Sequence, residues 1–500
     1  MFEKIKRLGT DTAIYGISTI LGRFLTFLLT PLYANILPPS DVGIIATMYA
    51  YIAFLNVMYS YGMDSAYMKY TSTLELGNAK QTFTIPFLSL TLTSVLISIL
   101  LFWQAETLTG VINLSSSLKS VTVYAALILC LDAISLVPFA SLRMERKAKQ
   151  FAAIKLVTIV VNVCCNVVFL IMYRMGVEGV FLSGVVSSAL AVVLLLPTIL
   201  RQLTLSLPSR VLAPLLRFGL PYVPAGLATM MIQVIDRPIL EALTDKATVG
   251  IYQANYRLGI FMMLIVSMYD FAWRPFFLSH ARDTEAKELF ARVLTYFVLL
   301  MAAVFLVLSF FLENIVKWPV FWGRSILPEA YWSGLDIVPV VLLAYVFLGI
   351  SNNMVAGIYI EKKTQHLPAI TFIGAAVNVA ANLALIPIIG IMGAALATLM
   401  SYAAMATVLY FTVQKYYAVK YEFERLAKIV VAAAIVFGLY LLVELDSFEL
   451  VWKVALLILF VVIMHWMKFF QSSELKRLAM IFRRGTTNRK GSDLPVDIGA

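Results

Sequence analysis

Runs of about 20 apolar residues follow one another along almost the entire chain. Hydrophobic residues make up 61% of its 500 residues and charged residues only 13%. A helix needs about 20 apolar residues to cross the hydrocarbon core of a bilayer, and no soluble globular protein needs this much apolar surface. The sequence therefore predicts an all-α polytopic membrane protein with fourteen transmembrane helices, numbered as spans 1 to 14: 12–33, 42–62, 83–103, 120–142, 151–173, 177–200, 214–240, 248–272, 290–312, 335–359, 367–389, 391–413, 426–445 and 450–468.

The basic residues between the spans predict the orientation of the chain. If the N-terminus is cytoplasmic, 29 of the 39 Lys and Arg residues fall in cytoplasmic segments and 7 fall in external segments. Lys and Arg residues near membrane spans concentrate on the cytoplasmic side. Both termini are therefore predicted to be cytoplasmic. The net charge of +11 then reflects this orientation and not a nucleic-acid partner.

Two stretches of the chain occur twice. Residues 141–166 match residues 357–382 without a gap, at an offset of 216, and residues 31–54 match residues 238–261 at an offset of 207. The alternative is chance similarity between apolar segments. The matches include charged and Asn residues, which the composition of a membrane segment does not favour, and this argues for a duplication.

The duplication predicts how the spans are grouped. Each copy contains six spans, and copies with an even number of spans share one orientation about an axis along the membrane normal. Two similar halves around a central site are typical of transporters. The predicted segments are an N-terminal six-helix lobe, a C-terminal six-helix lobe, two additional transmembrane helices and a basic, disordered cytoplasmic tail against anionic lipid headgroups: 1–203, 204–418, 419–470 and 471–500.

Two short segments carry a resemblance to a known family. The run FLLTPLYANILPPSDVGIIATMYAY (27–51) contains a Pro-Pro turn at Pro38 and Pro39, and a GVEG turn lies at 176–179. With six plus six plus two spans, the chain resembles the polysaccharide exporter family, the O-antigen-type oligosaccharide-lipid flippases of the multidrug/oligosaccharidyl-lipid/polysaccharide exporter (MOP) superfamily.

This resemblance implies a fold and a function. The implied fold consists of two bundles like those of the MATE transporters around a central cavity, and the implied mechanism is alternating access. The implied cargo is a polyprenyl-diphosphate oligosaccharide used for cell-surface polysaccharide biosynthesis. The implied location is the bacterial cytoplasmic (inner) membrane, with membrane lipids and polysaccharide polymerase or assembly proteins as partners.

Two arginines are predicted to lie deep in the membrane. Arg23 is about halfway along span 1, and Arg257 is about nine residues inside span 8. The matching positions in the other half hold Met230 and Ala50, so neither cation belongs to the duplicated scaffold. A charge at this depth costs about 2.5 to 3.5 kcal/mol. Because guanidinium groups suit phosphate oxygens, both are predicted to bind the diphosphate. The alternative is that each pairs with a buried acid, Asp132 or Asp236.

Other ionisable residues in the spans receive different interpretations. Asp132 in span 4 matches Leu348 and is a candidate for binding the H⁺ or Na⁺ that drives transport, the alternative being a neutral, hydrogen-bonded structural acid. Asp236 and Arg237 read as an interfacial ion pair at the external end of span 7. Lys155 can extend to the cytoplasmic surface, so it is assigned no role. No other cofactor and no metal are predicted.

Several polar and conformationally special residues complete the candidates. The pairs Asn162/Asn166 and Asn378/Asn382 are predicted to join helices. Tyr49 and Tyr256 occupy equivalent positions and are predicted to stack on sugar rings, although aromatic residues also form membrane-interface belts. Four residues crowd the start of span 7 and predict a bending element: Gly219, Pro221, Pro224 and Gly226.

Three other functions compete with the flippase. A drug/cation antiporter of the same superfamily should favour acids in its site, whereas the deep unduplicated charges are two arginines and one aspartate. A lipid II flippase, whose cargo is also diphosphate-linked, is discriminated only weakly. An integral-membrane enzyme is disfavoured, because HxxxD, DxD, P-loop and metal-ligand motifs are absent from the sequence and only three histidines occur. The chain is therefore predicted not to be an enzyme.

Overall fold

The structure, a computed structural model, describes residues 16–470 except residues 17, 77, 113, 206–207, 282, 322 and 444–447. Within this part, fourteen helices are long and apolar enough to cross a membrane. The predicted number of spans is confirmed. The predicted basic tail, 471–500, lies outside the described residues.

The observed spans agree with the predicted ones to within a few residues at most of their ends. Their bounds are Ser18–Ile36, Pro39–Thr73, Ala79–Trp103, Ser116–Met144, Ala148–Met172, Gly176–Gln202, Leu212–Val234, Lys246–His280, Ala286–Phe310, Ile337–Ile360, Thr364–Ile389, Ile391–Tyr416, Phe423–Leu442 and Glu449–Trp466. Spans 2 and 8 are each 35 residues long. Both continue past their predicted ends. Their last turns carry polar and charged residues, so a prediction based on apolar runs ends before them.

Span 1 has a single turn residue at Leu28, and spans 2, 7 and 8 are interrupted more clearly. Span 2 consists of Pro39–Ser60 and Met63–Thr73, separated at Gly62, where φ is +72°. Span 7 consists of Leu212–Gly219 and Tyr222–Val234. In span 8 a 3₁₀ turn separates the helices Lys246–Tyr256 and Ile260–His280.

Short elements lie between the spans. The helices are Ala105–Val111, Asp236–Leu243 and Leu312–Lys317, and a six-residue 3₁₀ helix covers Glu329–Gly334. Strands Pro319–Phe321 and Arg324–Ser325 form a small antiparallel hairpin.

The duplication is visible in where helices begin and end. Span 2 begins at Pro39 and span 8 at Lys246, which reproduces the offset of 207. Spans 4 and 10 end at Met144 and Ile360, which reproduces the offset of 216. The chain then passes through the left-handed region at matching positions, with φ of 55° at Arg146 and 54° at Lys362. The two copies therefore turn in the same way after their fourth spans.

The described chain divides into two compact units. One contains the residues up to Asp283 together with Leu312–Ala418, and the other contains Thr284–Phe311 and the residues from Val419 onward. Span 9, which the repeat assigns to the second half, groups with spans 13 and 14. In this smaller unit, Phe310 packs against Tyr440 with ring centroids 4.6 Å apart.

Spans 2 and 8 approach each other closely through a pair of repeat-related glycines in the first unit. A Cβ atom on Gly43 would lie 1.8 Å from the carbonyl oxygen of Lys246, and one on Gly250 would lie 1.9 Å from that of Pro39. Backbone therefore touches backbone at both positions. Only glycine allows two helices to approach this closely, so the contact explains why both copies carry glycine.

The hairpin of the second copy contacts the first copy at the end of span 1. Asn35 donates its side-chain amide to the carbonyl oxygen of Ser325 at 3.0 Å, and Arg324 donates to the carbonyl oxygen of Asn35 at 3.0 Å. The Tyr331 hydroxyl donates to the carbonyl oxygen of Leu37 at 3.3 Å. The long loop between spans 9 and 10 thus joins the halves on the predicted external side.

The duplicated glutamate after span 4 has a scaffold role. Glu145 accepts hydrogen bonds from Arg201 and from Gln202 at the end of span 6, and its carboxylate lies 2.7 Å from the Lys147 ammonium. Burial disfavours its charge, but the hydrogen bonds from Lys147, Arg201 and Gln202 lower the pKa of Glu145 to about 2. Glu145 therefore stays ionised at neutral pH and joins spans 4 and 6.

The glycine contact predicts the effect of adding one methyl group. Gly43→Ala should lower the free energy of unfolding by about 1–3 kcal/mol, because two backbones must separate to admit the new carbon. Gly438→Ala is the matched control, since nothing lies within 4 Å of a Cβ atom there. The thermal unfolding midpoint of the detergent-solubilised variants is the measurement. An equal midpoint for the two variants would contradict the close approach.

Candidate functional site

A cavity in the first unit has two adjoining compartments. The first has a volume of about 490 Å³ and the second about 550 Å³. Both lie in the range of small-molecule sites. The two compartments share five wall residues from spans 1, 8 and 10: Thr19, Arg23, Tyr256, Met263 and Tyr345.

Four basic side chains line the first compartment. Arg23 comes from span 1, Lys155 from span 5, Arg237 from the helix after span 7, and Arg257 from the 3₁₀ turn of span 8. Both halves of the sequence contribute. Aromatic and apolar side chains fill most of the remaining wall, including Phe27, Phe151 and Ile260.

Arg23 lies where the two compartments meet. Its guanidinium donates to the Ser267 hydroxyl of span 8 at 2.7 Å. In the described part of the chain it has no carboxylate within 4 Å, so it pairs with neither Asp132 nor Asp236. The sequence placed Arg23 deep in span 1, and the structure adds that it faces the cavity.

Arg257 occupies the break in span 8. Its guanidinium donates to the Thr30 hydroxyl of span 1 at 3.3 Å, and none of the described carboxylates forms an ion pair with it. It also borders a side recess of about 30 Å³, together with Tyr33 and Tyr49. Tyr49 therefore faces this recess and not the two main compartments, and its ring stacks on Phe181 at 5.1 Å.

Arg237 is a cavity residue that the sequence reasoning missed. Its guanidinium contacts Asp236 at 2.5 Å, Gln253 at 3.0 Å and the carbonyl oxygen of Gln233 at 2.6 Å. The Tyr252 hydroxyl donates to the other Asp236 oxygen at 2.5 Å. The side chains of Arg237 and Asp236 are only 7% and 1% exposed.

The predicted ion pair between Asp236 and Arg237 is present, and both side chains are buried. The two residues begin the short helix Asp236–Leu243, and neighbouring polar groups satisfy both charges. The position of the pair at the membrane interface stays a prediction. Nothing in the local sequence indicated that Arg237 lines a cavity.

Lys155, to which the sequence assigned no role, also lines the first compartment. Its side chain is exposed, with Nζ 4.1 Å from the centre of the Phe139 ring. The structure thereby adds two cations to the two arginines that the sequence singled out.

Tyr256 belongs to an aromatic cluster on the C-terminal side of the cavity. The Arg237 guanidinium lies 4.4 Å from the centre of its ring. Tyr345 packs 6.4 Å from Tyr256, and Tyr402 packs 6.4 Å from Tyr345. Unlike its repeat partner Tyr49, Tyr256 lines both compartments.

Asp132 and the Asn pairs lie away from both compartments. Asp132 accepts a hydrogen bond from the Ser188 hydroxyl of span 6 at 2.7 Å. Asn166 accepts one from Tyr33 at 2.8 Å, which joins span 5 to span 1, as predicted for the first pair. Asn382 donates to Asn378 within span 11, and among the described residues neither side chain forms a hydrogen bond to another helix.

The predicted bending element coincides with the interruption of span 7. The helix stops after Gly219 and resumes at Tyr222. A Cβ atom on Gly219 would lie 2.8 Å from the carbonyl oxygen of Tyr61, so the breaks of spans 2 and 7 touch each other. Gly226 packs against Val57, and Pro224 lies in the first turn of the second helix.

The sequence profile described as "polysaccharide biosynthesis protein" matches residues 32–325, more than half of the chain. The chain belongs to this family. No curated protein matches the sequence.

Several solved structures share the fold of this chain. A lipid II flippase, MurJ, in an inward closed conformation is 15% identical, has a TM-score of 0.72, and is matched over 90% of this chain and 98% of its own. An inward-facing multidrug resistance MATE transporter of the MOP superfamily has 14% identity, TM-score 0.63 and coverage of 82% and 96%. The Vibrio cholerae MATE transporter VcmN has 15% identity, TM-score 0.60 and the same coverage.

The predicted family and fold are therefore confirmed. The protein is a multi-pass membrane protein of the polysaccharide biosynthesis family, and it has the fold of solved MOP-superfamily transporters. At these identities, the structural neighbours establish the fold alone.

Removing one partner of the buried ion pair should destabilise the protein more than removing both. Asp236→Ala should destabilise the protein by about 3–5 kcal/mol, because it leaves Arg237 buried without its counter-charge. The double variant Asp236→Leu, Arg237→Met should recover most of that loss, since it removes both charges. Thermal unfolding of the purified variants is the measurement. A double variant as unstable as Asp236→Ala would contradict the pairing.

Proposed function

We propose that this protein is a flippase that moves a polyprenyl-diphosphate-linked oligosaccharide from the cytoplasmic to the external leaflet of the bacterial cytoplasmic membrane. The proposal is carried by one observation: four cations face one cavity, and among the described residues only Arg237 has a carboxylate within 4 Å. Asp132 interacts with Lys155 from a greater distance. Cations inside a membrane protein are costly. A bound anion gives Arg23 and Arg257 the counter-charge that the described residues do not provide.

The diphosphate is the part of the cargo that this cavity fits. Arg23 and Arg257 approach the first compartment from opposite halves, and the guanidinium fork can bind two phosphate oxygens at once. Lys155 and Arg237 add charge on the same walls. We assign the diphosphate to this compartment and place Tyr256 beside the adjoining sugar. Tyr49 does not line this compartment, so it can affect the cargo only through Arg257, with which it shares the recess.

Translocation requires that the cavity open to one side at a time. We propose that residues 1–203 and 204–418 rock against each other and that Gly219, Pro221, Pro224 and Gly226 form the bending element. When the cavity opens to one side of the membrane, the breaks of spans 2 and 7 move apart. When it opens to the other side, spans 2 and 8 move apart at Gly43 and Gly250. In this proposal both termini are cytoplasmic, as the basic loops predict. Polysaccharide polymerase or assembly proteins are the proposed partners.

Two related transport functions use the same fold. Lipid II shares the diphosphate linkage, so the cation cluster suits it equally, and only the sugar preference separates the two cargoes. A drug/cation antiporter needs accessible acids. Asp270 lines the second compartment, but it is paired with Arg274.

The cation cluster predicts a transport defect without a folding defect. Arg23→Ala, Arg257→Ala should reduce flipping at least about 10-fold, because one lost charge-assisted hydrogen bond alone is worth about that factor. Movement of labelled polyprenyl-diphosphate sugars in vesicles is the measurement.

The matched control is Arg217→Ala, Arg292→Ala, which removes two exposed arginines from outside the cavity. Full flipping by the Arg23, Arg257 variant at normal expression would contradict the proposal. Export of a cationic dye, with no crossing of diphosphate-linked sugars by the wild type, would favour the antiporter.

We further propose that Asp132 binds the coupling H⁺ or Na⁺, next to the Ser188 hydroxyl. Asp132→Asn should then remove the response of flipping to an imposed ion gradient, because the amide keeps the shape and loses the titratable charge. Asp283→Asn, the same change at an exposed aspartate that lines neither compartment, is the matched control. Unchanged gradient dependence in Asp132→Asn would identify Asp132 as a structural acid.

A further inference from the structure

The second compartment of the cavity has different chemistry from the first. It shares Arg23 with the first compartment, but Lys155, Arg237 and Arg257 do not line it. Its polar wall consists instead of two amides, a hydroxyl and one carboxylate: Gln233, Asn352, Ser267 and Asp270. A compartment with a single cation at its edge is poorly suited to a diphosphate, so it needs a different occupant.

Two amide groups in this wall have free hydrogen-bonding capacity. Within the described chain, the side chains of Asn352 and Gln233 have no hydrogen-bond partner; Asn352 is half-buried and Gln233 is exposed. An amide offers two donors and an acceptor, so both side chains can bind a ligand that enters the compartment. Asn352 matches Leu136 in the first repeat, so the helical scaffold does not need an amide at this position.

The carboxylate in this wall has a fixed orientation. Asp270 accepts from Arg274 Nε at 3.2 Å, and its other oxygen lies 3.2 Å from Arg274 Nη2. The side chain remains 23% exposed. Each carboxylate oxygen can accept more than one hydrogen bond. Asp270 can therefore accept from a ligand without giving up its partner.

Aromatic rings form another side of the compartment. Tyr256, Tyr345 and Tyr402 are in contact in that order, with successive ring centroids 6.4 Å apart. All three line the second compartment. Tyr345 matches Leu129 in the first repeat, so this part of the cluster is also specific to the second half. Tyrosine combines an apolar face with a polar hydroxyl.

We propose that the second compartment is a carbohydrate subsite that binds the sugar attached to the diphosphate. A sugar ring has hydroxyl groups that both donate and accept, which match Asn352, Gln233 and Asp270. It also has apolar C–H faces, which match the tyrosine wall. Arg23 borders both compartments, so it aligns the diphosphate in the first with the sugar in the second. The inference rests on the proposed function, because it takes the diphosphate as the anchor.

Equilibrium binding to the purified full chain tests the subsite. The probes are farnesyl diphosphate and the same diphosphate bearing either glucose or N-acetylglucosamine. The wild type should bind at least one sugar-bearing probe about 10-fold more tightly than farnesyl diphosphate, the effect of one or two net hydrogen bonds. The sugar gain is the dissociation constant for farnesyl diphosphate divided by that for the sugar-bearing probe.

Variants of the wall should reduce the sugar gain alone. Asn352→Ala and Tyr402→Leu should each lower it about 3- to 10-fold while leaving the affinity for farnesyl diphosphate unchanged, which also reports that the variants are folded. Asn56→Ala is the matched control, because Asn56 is likewise half-buried in a span and lines neither compartment. Arg257→Ala should weaken all the probes together.

The outcomes separate the subsite from the proposed function. If the wild type binds none of the probes, the diphosphate site fails and the subsite fails with it. If farnesyl diphosphate binds but neither sugar adds affinity, the subsite is overturned and the diphosphate site stands. A sugar gain that Asn352→Ala and Tyr402→Leu leave intact also overturns the subsite.

Discussion

The low dielectric of the membrane interior is the constraint on which this structure depends. Backbone groups that cannot reach water must pair within helices, and every buried charge needs a counter-charge, a hydrogen-bond partner or a ligand. The Arg237–Asp236 pair meets this requirement internally, through Gln253, Tyr252 and the carbonyl oxygen of Gln233. Among the described residues, the side chains of Arg23 and Arg257 each hydrogen-bond to one hydroxyl, of Ser267 and Thr30, and to no carboxylate. This difference separates a structural charge from charges available to a cargo.

The close crossings between the halves and the interrupted spans lie around the cavity. Gly43 and Gly250 bring spans 2 and 8 into backbone contact, and Gly62 and Gly219 do the same for the breaks of spans 2 and 7. Each contact joins one half of the sequence to the other. At these points neither glycine has a side chain that interlocks with the facing helix. Such contacts suit halves that must part and rejoin, as the proposed alternating access requires.

The duplication divides the chain into what both halves share and what only one half carries. The shared features are structural: the starts of spans 2 and 8, the ends of spans 4 and 10, and the left-handed turns at Arg146 and Lys362. The cavity is built mostly from unshared residues. Arg23, Arg257, Tyr345 and Asn352 have apolar residues at the matching positions. A symmetric frame thus encloses an asymmetric site, with cations at one end and amides and tyrosines at the other.

The sequence by itself determined the fourteen spans and the duplication, because apolar run length and matching residues are local properties of the chain. It also identified Arg23, Arg257, Tyr256 and the bend near Pro221 as special positions. Only the tertiary structure decided which polar groups face the cavity. Lys155 looked like a surface-reaching lysine and Arg237 like half of an interfacial pair, yet both line the first compartment, whereas Tyr49 faces a separate recess. Where a side chain points depends on how its helix is rotated against helices that are distant in sequence, and run length and charge spacing carry no information about that rotation.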